Sequence, residues 1–146
     1  MHWQVLTVAL VIAAPAPPED KKDTDKIQGT WTVVSYKVGK LKFSEEDVKM
    51  TWVFKDDRLT IKDNGNGEEG KIKIKMDSTR KPKTIDMISE AKTPDGKQIL
   101  GIYELKDDDL KVCYGKEGGE RPTEFATKAG SETTLIVLKR EKEKDK

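Results

Sequence analysis

Gly29-Thr30-Trp31-Thr32-Val33-Val34-Ser35-Tyr36-Lys37-Val38 is the stretch that decides the fold. With Ile27 and Gln28 it reads as strand one, because β-branched and aromatic side chains suit a pleated, half-buried surface. Gly39 ends it. Working outward, further runs of strand character follow. Residues 48–55 carry Met50, Trp52 and Phe54 on one face, and residues 58–62 turn Leu59 and Ile61 inward. Lys71-Ile72-Lys73-Ile74-Lys75-Met76 alternates strictly, with lysines in water and aliphatic side chains in a core. Residues 84–89, 97–105, 110–114 and 133–140 complete the set. Asp56-Asp57, Asp63-Asn64-Gly65-Asn66-Gly67, Pro94-Asp95-Gly96 and Asp107-Asp108-Asp109 punctuate the runs as turns. Ser44-Glu45-Glu46-Asp47 has the form of a helix N-cap followed by acids, which predicts one short helical turn after strand one.

Eight short strands with short connections predict an all-β fold, a small eight-stranded up-and-down antiparallel barrel. Closure would remove the exposed strand edges. Strands of roughly six residues make a shallow barrel, and eight of them leave an interior about wide enough for side chains to fill. Any cavity is therefore expected to be small.

Composition narrows the function classes. The chain has 146 residues, of which 38% are charged and 6% aromatic. Lys plus Arg is 28 and Asp plus Glu is 27, a formal net charge of +1. This balance leaves no basic footprint for nucleic acid and predicts no polybasic membrane patch. Cys113 is the single cysteine, so an internal disulfide is impossible and stability must come from the core. Residues 5–14, Val-Leu-Thr-Val-Ala-Leu-Val-Ile-Ala-Ala, precede small residues, Pro17-Pro18 and a charged stretch. That is the layout of a secretory signal peptide. The expected organisation is a signal peptide at 1–16, a charged linker at 17–26, the barrel at 27–140 and a charged disordered tail at 141–146. The leading Met1-His2-Trp3-Gln4 lacks Lys and Arg, and prolines flank the small-residue site, so an uncleaved anchor is the alternative. The apolar run is shorter than the roughly 20 residues of a membrane-spanning helix, so the mature form is expected to have none. Export to the periplasm, cell surface or exterior is predicted, and the expected state is a monomer.

Gly29-Thr30-Trp31 on the first strand, paired with a basic residue ending the last, resembles the lipocalin pattern. The resemblance implies that Gly29, Trp31 and Arg140 close the barrel floor, the indole face holding the guanidinium by a cation–π contact. Lys26-Ile27-Gln28-Gly29-Thr30-Trp31, Pro82-Lys83-Thr84-Ile85-Asp86, Gly101-Ile102-Tyr103-Glu104-Leu105, Leu110-Lys111-Val112-Cys113-Tyr114 and Glu120-Arg121-Pro122-Thr123-Glu124-Phe125 resemble an uncharacterised family of exported lipocalin-like domains in planctomycete bacteria. The resemblance spans residues 26–140. It implies fold and export and carries over no catalytic residue.

His2 is the only histidine and lies in the leading segment. A mature chain without it can build neither a Ser-His-Asp nor a Cys-His arrangement, and no zinc set is present. No catalytic residue, metal site or cofactor is therefore expected, and the chain is read as not an enzyme. Asp63-Asn64-Gly65-Asn66-Gly67 lacks the distal glutamate of a calcium loop. The reading that remains is a binding domain for an unknown small apolar or amphipathic molecule. Trp52, Phe54 and Tyr103 would line the site, with Arg121 at its mouth to clamp a carboxylate or phosphate. Against this, Arg121 could pair with Glu104 or Glu124 while Phe125 plugs the barrel. The alternative function is a structural or protein-interaction domain with a filled barrel, recognising its partner through the loop at 115–131.

Overall fold

The computed structural model describes residues 22–89, 98–127, 130 and 132–141. The expected signal peptide, the turn at Pro94-Asp95-Gly96, and most of the linker and tail lie outside these residues.

After the helical turn α1 (Asp23–Lys26), the strands are β1 (Gly29–Val38), β2 (Leu41–Ser44), β3 (Met50–Lys55), β4 (Arg58–Asp63), β5 (Glu69–Asp77), β6 (Lys83–Ser89), β7 (Gln98–Lys106), β8 (Asp109–Tyr114) and β9 (Thr134–Arg140). A second helical turn, α2 (Glu45–Val48), stands between β2 and β3. The antiparallel order β1-β3-β4-β5-β6-β7-β8-β9 closes through β1–β9 pairing, which gives the eight-stranded barrel. β2 is an addition that the sequence reading did not contain. It pairs with Ser35–Val38 of β1, whereas β3 pairs with residues 29–32 of the same edge. β3, β4 and β8 have the expected six residues, but other strands run longer, to ten in β1 and nine in β5 and β7. α2 forms where Ser44 and Asp47 complete a capping box, the Ser44 backbone N–H and hydroxyl both donating to Asp47 Oδ2.

Period-two alternation places Trp31, Val33, Trp52, Phe54, Leu59, Ile74, Ile85, Met87, Tyr103, Leu110, Val112, Ile136 and Leu138 in one interior cluster. Lys71, Lys73 and Lys75 point to solvent. A register shift between Val33 and Ser35 inserts one residue into β1. A bulge of this kind reverses the alternation. Without it, Ser35 and Lys37 would follow Trp31 and Val33 inward. With it, Tyr36 pairs Ile136 and packs on the interior cluster.

A second, smaller cluster lies on the outer face: Ile102, Cys113 and Leu135, covered by Phe125. The segment after β8 folds back along the wall to make this cover. Phe125 therefore does not plug the barrel. Its neighbours Ile102 and Cys113 alternate with the inward Tyr103 and Val112, which puts them on the outside.

Candidate functional site

The two ends of the barrel differ. One end gathers the start of β1, the β3–β4, β5–β6 and β7–β8 turns and the end of β9. It is closed around Trp31. Trp31 and Ile27 are each 0% exposed, and the Trp31 indole N–H donates to the Ile27 carbonyl at 2.8 Å. Met76 and Leu105 at this end are partly buried, and a hollow beside α1 reaches Gln28, Asp56, Ile74 and Met76. The Arg140 guanidinium carbon stands 4.3 Å from the Trp31 ring centroid. That guanidinium also donates to the carbonyls of Gln28, at 2.7 Å, and Lys26. Gly29 has φ +120, and a Cβ there would stand 3.2 Å from Arg140 Nη1, so glycine lets the arginine in.

α1 packs on this end although its residues fall in the expected linker, so order begins before Ile27. The reason is local. Asp23 Oδ2 accepts bonds of 2.8 Å from both Lys83 Nζ and the Tyr103 hydroxyl. Gln28 adds a two-way bond to the Asp56 backbone. Burial raises the Asp23 carboxyl, but the bonds from Lys83 and Tyr103 and the charges of Lys83 and Lys26 outweigh it and hold it below the ordinary carboxylate value. Burial and then Asp23 push the Tyr103 phenol well above its usual range. A carboxylate whose folded value is depressed stabilises the fold above its unfolded value of about 3.9. That contribution disappears as pH falls through the folded value. Asp23→Asn should therefore melt below the parent at neutral pH, and the gap should narrow as the pH of the melt is taken below the ordinary carboxylate value of about 3.9. A gap independent of pH would show that the Asp23 charge does nothing.

The opposite end gathers the end of β1, α2, the β4–β5 turn and the starts of β7 and β9. Its inward side chains are only partly buried. Tyr36, Val48, Met50, Ile61, Ile72, Ile99 and Tyr114 pack on the core and still reach solvent. They form an apolar ring above Trp52, whose indole N–H points to Met50 Sδ at 3.4 Å. Two hydroxyls interrupt the ring: Tyr114 hydrogen-bonds Tyr36 and Thr134. Burial, and then the neighbouring Tyr36, push the Tyr114 phenol far above its ordinary value. It stays a neutral hydrogen-bonding group at physiological pH.

Of the sequence-predicted ligand residues, Trp52, Phe54 and Tyr103 are brought together in the interior cluster and Arg121 is not. Trp52, Phe54 and Tyr103 are each 1% exposed, inside the barrel. Trp52 and Phe54 lie in contact, with ring centroids 6.1 Å apart. Arg121 is on the outer wall rather than at a mouth. Its Nη1 donates to Asp86 Oδ1 at 2.6 Å and to the Gly101 carbonyl at 2.8 Å. Asp86 faces outward because its neighbours Ile85 and Met87 face in. The partner expected for Arg121, Glu104 or Glu124, is thus replaced by Asp86. A surface hollow lined by Glu120, Arg121, Pro122 and Thr123 lies beside it, but the guanidinium there is already engaged.

The ring residues Tyr36, Ile99 and Tyr114 were missed. A signal for them existed. Once Trp31 marks the sealed end, the inward positions at the far end of each strand must line the other. Among the described residues no group of three or more His, Cys, Asp or Glu side chains is gathered. None of their helices is long and apolar enough to cross a membrane. Comparison with known proteins found no matching family model, curated protein or solved structure.

Proposed function

We propose that this protein is an exported, non-catalytic, lipocalin-like binding domain. It takes a small apolar or amphipathic molecule through the open end of its barrel. The observation that carries the reading is a difference of degree between the ends: Ile27, Trp31 and Arg140 close one, where among the described residues only Met76 and Leu105 are half-buried, while seven half-buried apolar or aromatic side chains ring the other. Apolar surface left half in water gains free energy when a ligand covers it, about 25 cal/mol per Å². The Tyr36 and Tyr114 hydroxyls would orient a polar head group, since a few convergent polar groups in an apolar site fix a ligand's direction.

The test is native mass spectrometry of the full chain purified from its own host, followed by denaturing extraction. A stoichiometric small molecule supports the reading. Ile72→Glu places a carboxylate in the ring and should weaken that molecule's binding at least about tenfold, the loss of roughly 1.4 kcal/mol. Because Ile72 is only partly buried, its melting temperature should move little.

A filled barrel that recognises another protein is the second reading. What favours it is the packing of Trp52, Phe54 and Tyr103, which occupies the lower interior. A clean unliganded mass, with no effect of Ile72→Glu on any added apolar probe, would transfer the weight to it.

A further inference from the structure

The β1–β2 hairpin projects past the start of β3 as an amphipathic tongue beside the open end. Its register pairs Tyr36 with Phe43, Lys37 with Lys42 and Val38 with Leu41. Directly opposed residues share a face, and faces alternate along a strand. One face is therefore Tyr36, Val38, Leu41 and Phe43, and the other carries Lys37 and Lys42. Tyr36 packs on the barrel core and meets Phe43 edge to face, with ring centroids 6.2 Å apart. The apolar face thus runs without a break from the ring at the open end to the hairpin tip. There Leu41 is 62% exposed and Phe43 37%, the exposed large hydrophobics of the described chain. Lys40 stands at the turn, which the Thr127 hydroxyl pins by a 3.0 Å bond to the Gly39 carbonyl.

Two features of this hairpin are unfavourable in the isolated molecule. Large apolar side chains stand in water. Lys37 and Lys42 oppose each other directly, a like-charge pair that destabilises a sheet. Among the described residues no carboxylate forms an ion pair with Lys37, Lys40 or Lys42. The acids of α2 are the nearest in sequence. Asp47 is turned back onto Ser44. Glu45 and Glu46 form no ion pair with these lysines among the described residues.

A surface that is apolar within and anionic at its face relieves both. We propose that the β1–β2 hairpin docks the open end of the barrel onto an anionic lipid surface. Leu41, Val38 and Phe43 enter the acyl boundary, and Lys37, Lys40 and Lys42 meet the phosphates. The docking needs no molecule in the barrel, so it can fail or hold independently of the ligand reading.

The test uses the full chain carrying L41C, labelled with a polarity-sensitive fluorophore. Leu41 is largely exposed, so the change leaves the core intact, and Cys113 is buried and stays unlabelled. Vesicles of phosphatidylcholine and phosphatidylglycerol in equal parts should shift the emission to the blue. Pure phosphatidylcholine vesicles should not. Adding K40E and K42E should weaken binding to the anionic vesicles about a hundredfold, since each lysine contributes roughly fivefold and its reversal repels. All variants share residues 1–21, so any contribution of the apolar run at 5–14 cancels in the comparison. Binding without a shift at position 41 places the contact elsewhere and overturns the proposal. So does binding that ignores head-group charge, and so does absence of binding.

Discussion

Trp31→Ala is expected to destabilise the protein by about 3–5 kcal/mol, the range for emptying a buried aromatic site. Three losses combine. The ring is 0% exposed, so its removal leaves a void at the sealed end. The Ile27 carbonyl loses the indole N–H that binds it at 2.8 Å. Arg140, 4.3 Å from the ring centroid, loses the face on which it rests. A cation–π contact of this kind contributes about 0.5–2 kcal/mol. Urea denaturation followed by circular dichroism measures the sum, with the midpoint moving at nearly constant slope. Trp31→Phe separates the parts: it keeps a ring under the guanidinium and gives up the indole bond. It should cost clearly less than the alanine change. A loss under about 1 kcal/mol for Trp31→Ala would mean that the seal is not where the fold's stability resides.

The second large effect concerns the outer wall. Arg121→Ala should cost about 1–3 kcal/mol, because a half-buried Asp86 loses its cation and the Gly101 carbonyl loses a donor. Its more telling consequence is chemical. Arg121 ties the segment that lays Phe125 over Ile102, Cys113 and Leu135. Burial, and further the charge of Glu124, hold the Cys113 thiol above its ordinary value, although a backbone hydrogen bond from Ala126 acts the other way. The thiol should be almost inert to a disulfide reagent in the parent. If releasing the segment costs about 1.4 kcal/mol less in the variant, the open population rises tenfold and so does the labelling rate. Arg121→Lys should restore part of the loss, since a single nitrogen, Nη1, makes both bonds and an ammonium carries donors for two acceptors. Unchanged thiol reactivity in Arg121→Ala would show that the loop is held by Phe125 alone.

Legibility followed the physics of each element. Where one face meets water and the other a core, alternation is visible, and β5 with its lysine stripe was read directly. The cap at Ser44 was equally readable, because its chemistry is local. β2 was not, since Leu41-Lys42-Phe43-Ser44 buries none of its residues and so carries no core pattern. The bulge in β1 left a trace that went unused. The large apolar side chains sit at odd positions through Trp31 and Val33 and at even positions through Tyr36 and Val38. Arg121 and Asp86 are 35 residues apart, and nothing in their flanks announces the pairing. The open ring draws one residue from each of six strands and one from α2. No local window contains it, although each member was marked as inward-facing or left at a strand end.

The bond between Arg140 and the Gln28 carbonyl spans 112 residues. The barrel is shut by its first strand and its last, so the seam cannot be made until the C-terminal strand is present. Contacts this distant along the chain form slowly, since loop-closure entropy is lost before they are gained, and all-β domains of this kind fold in milliseconds to seconds. Until β9 docks, β1 and β8 each offer a bare hydrogen-bonding edge, the state in which strands recruit strands from other molecules. A chain interrupted before Thr134 would accordingly behave as an aggregation seed rather than as a smaller barrel. The arginine that ends β9 therefore acts as a completion mark, the contact by which a finished chain differs from an unfinished one.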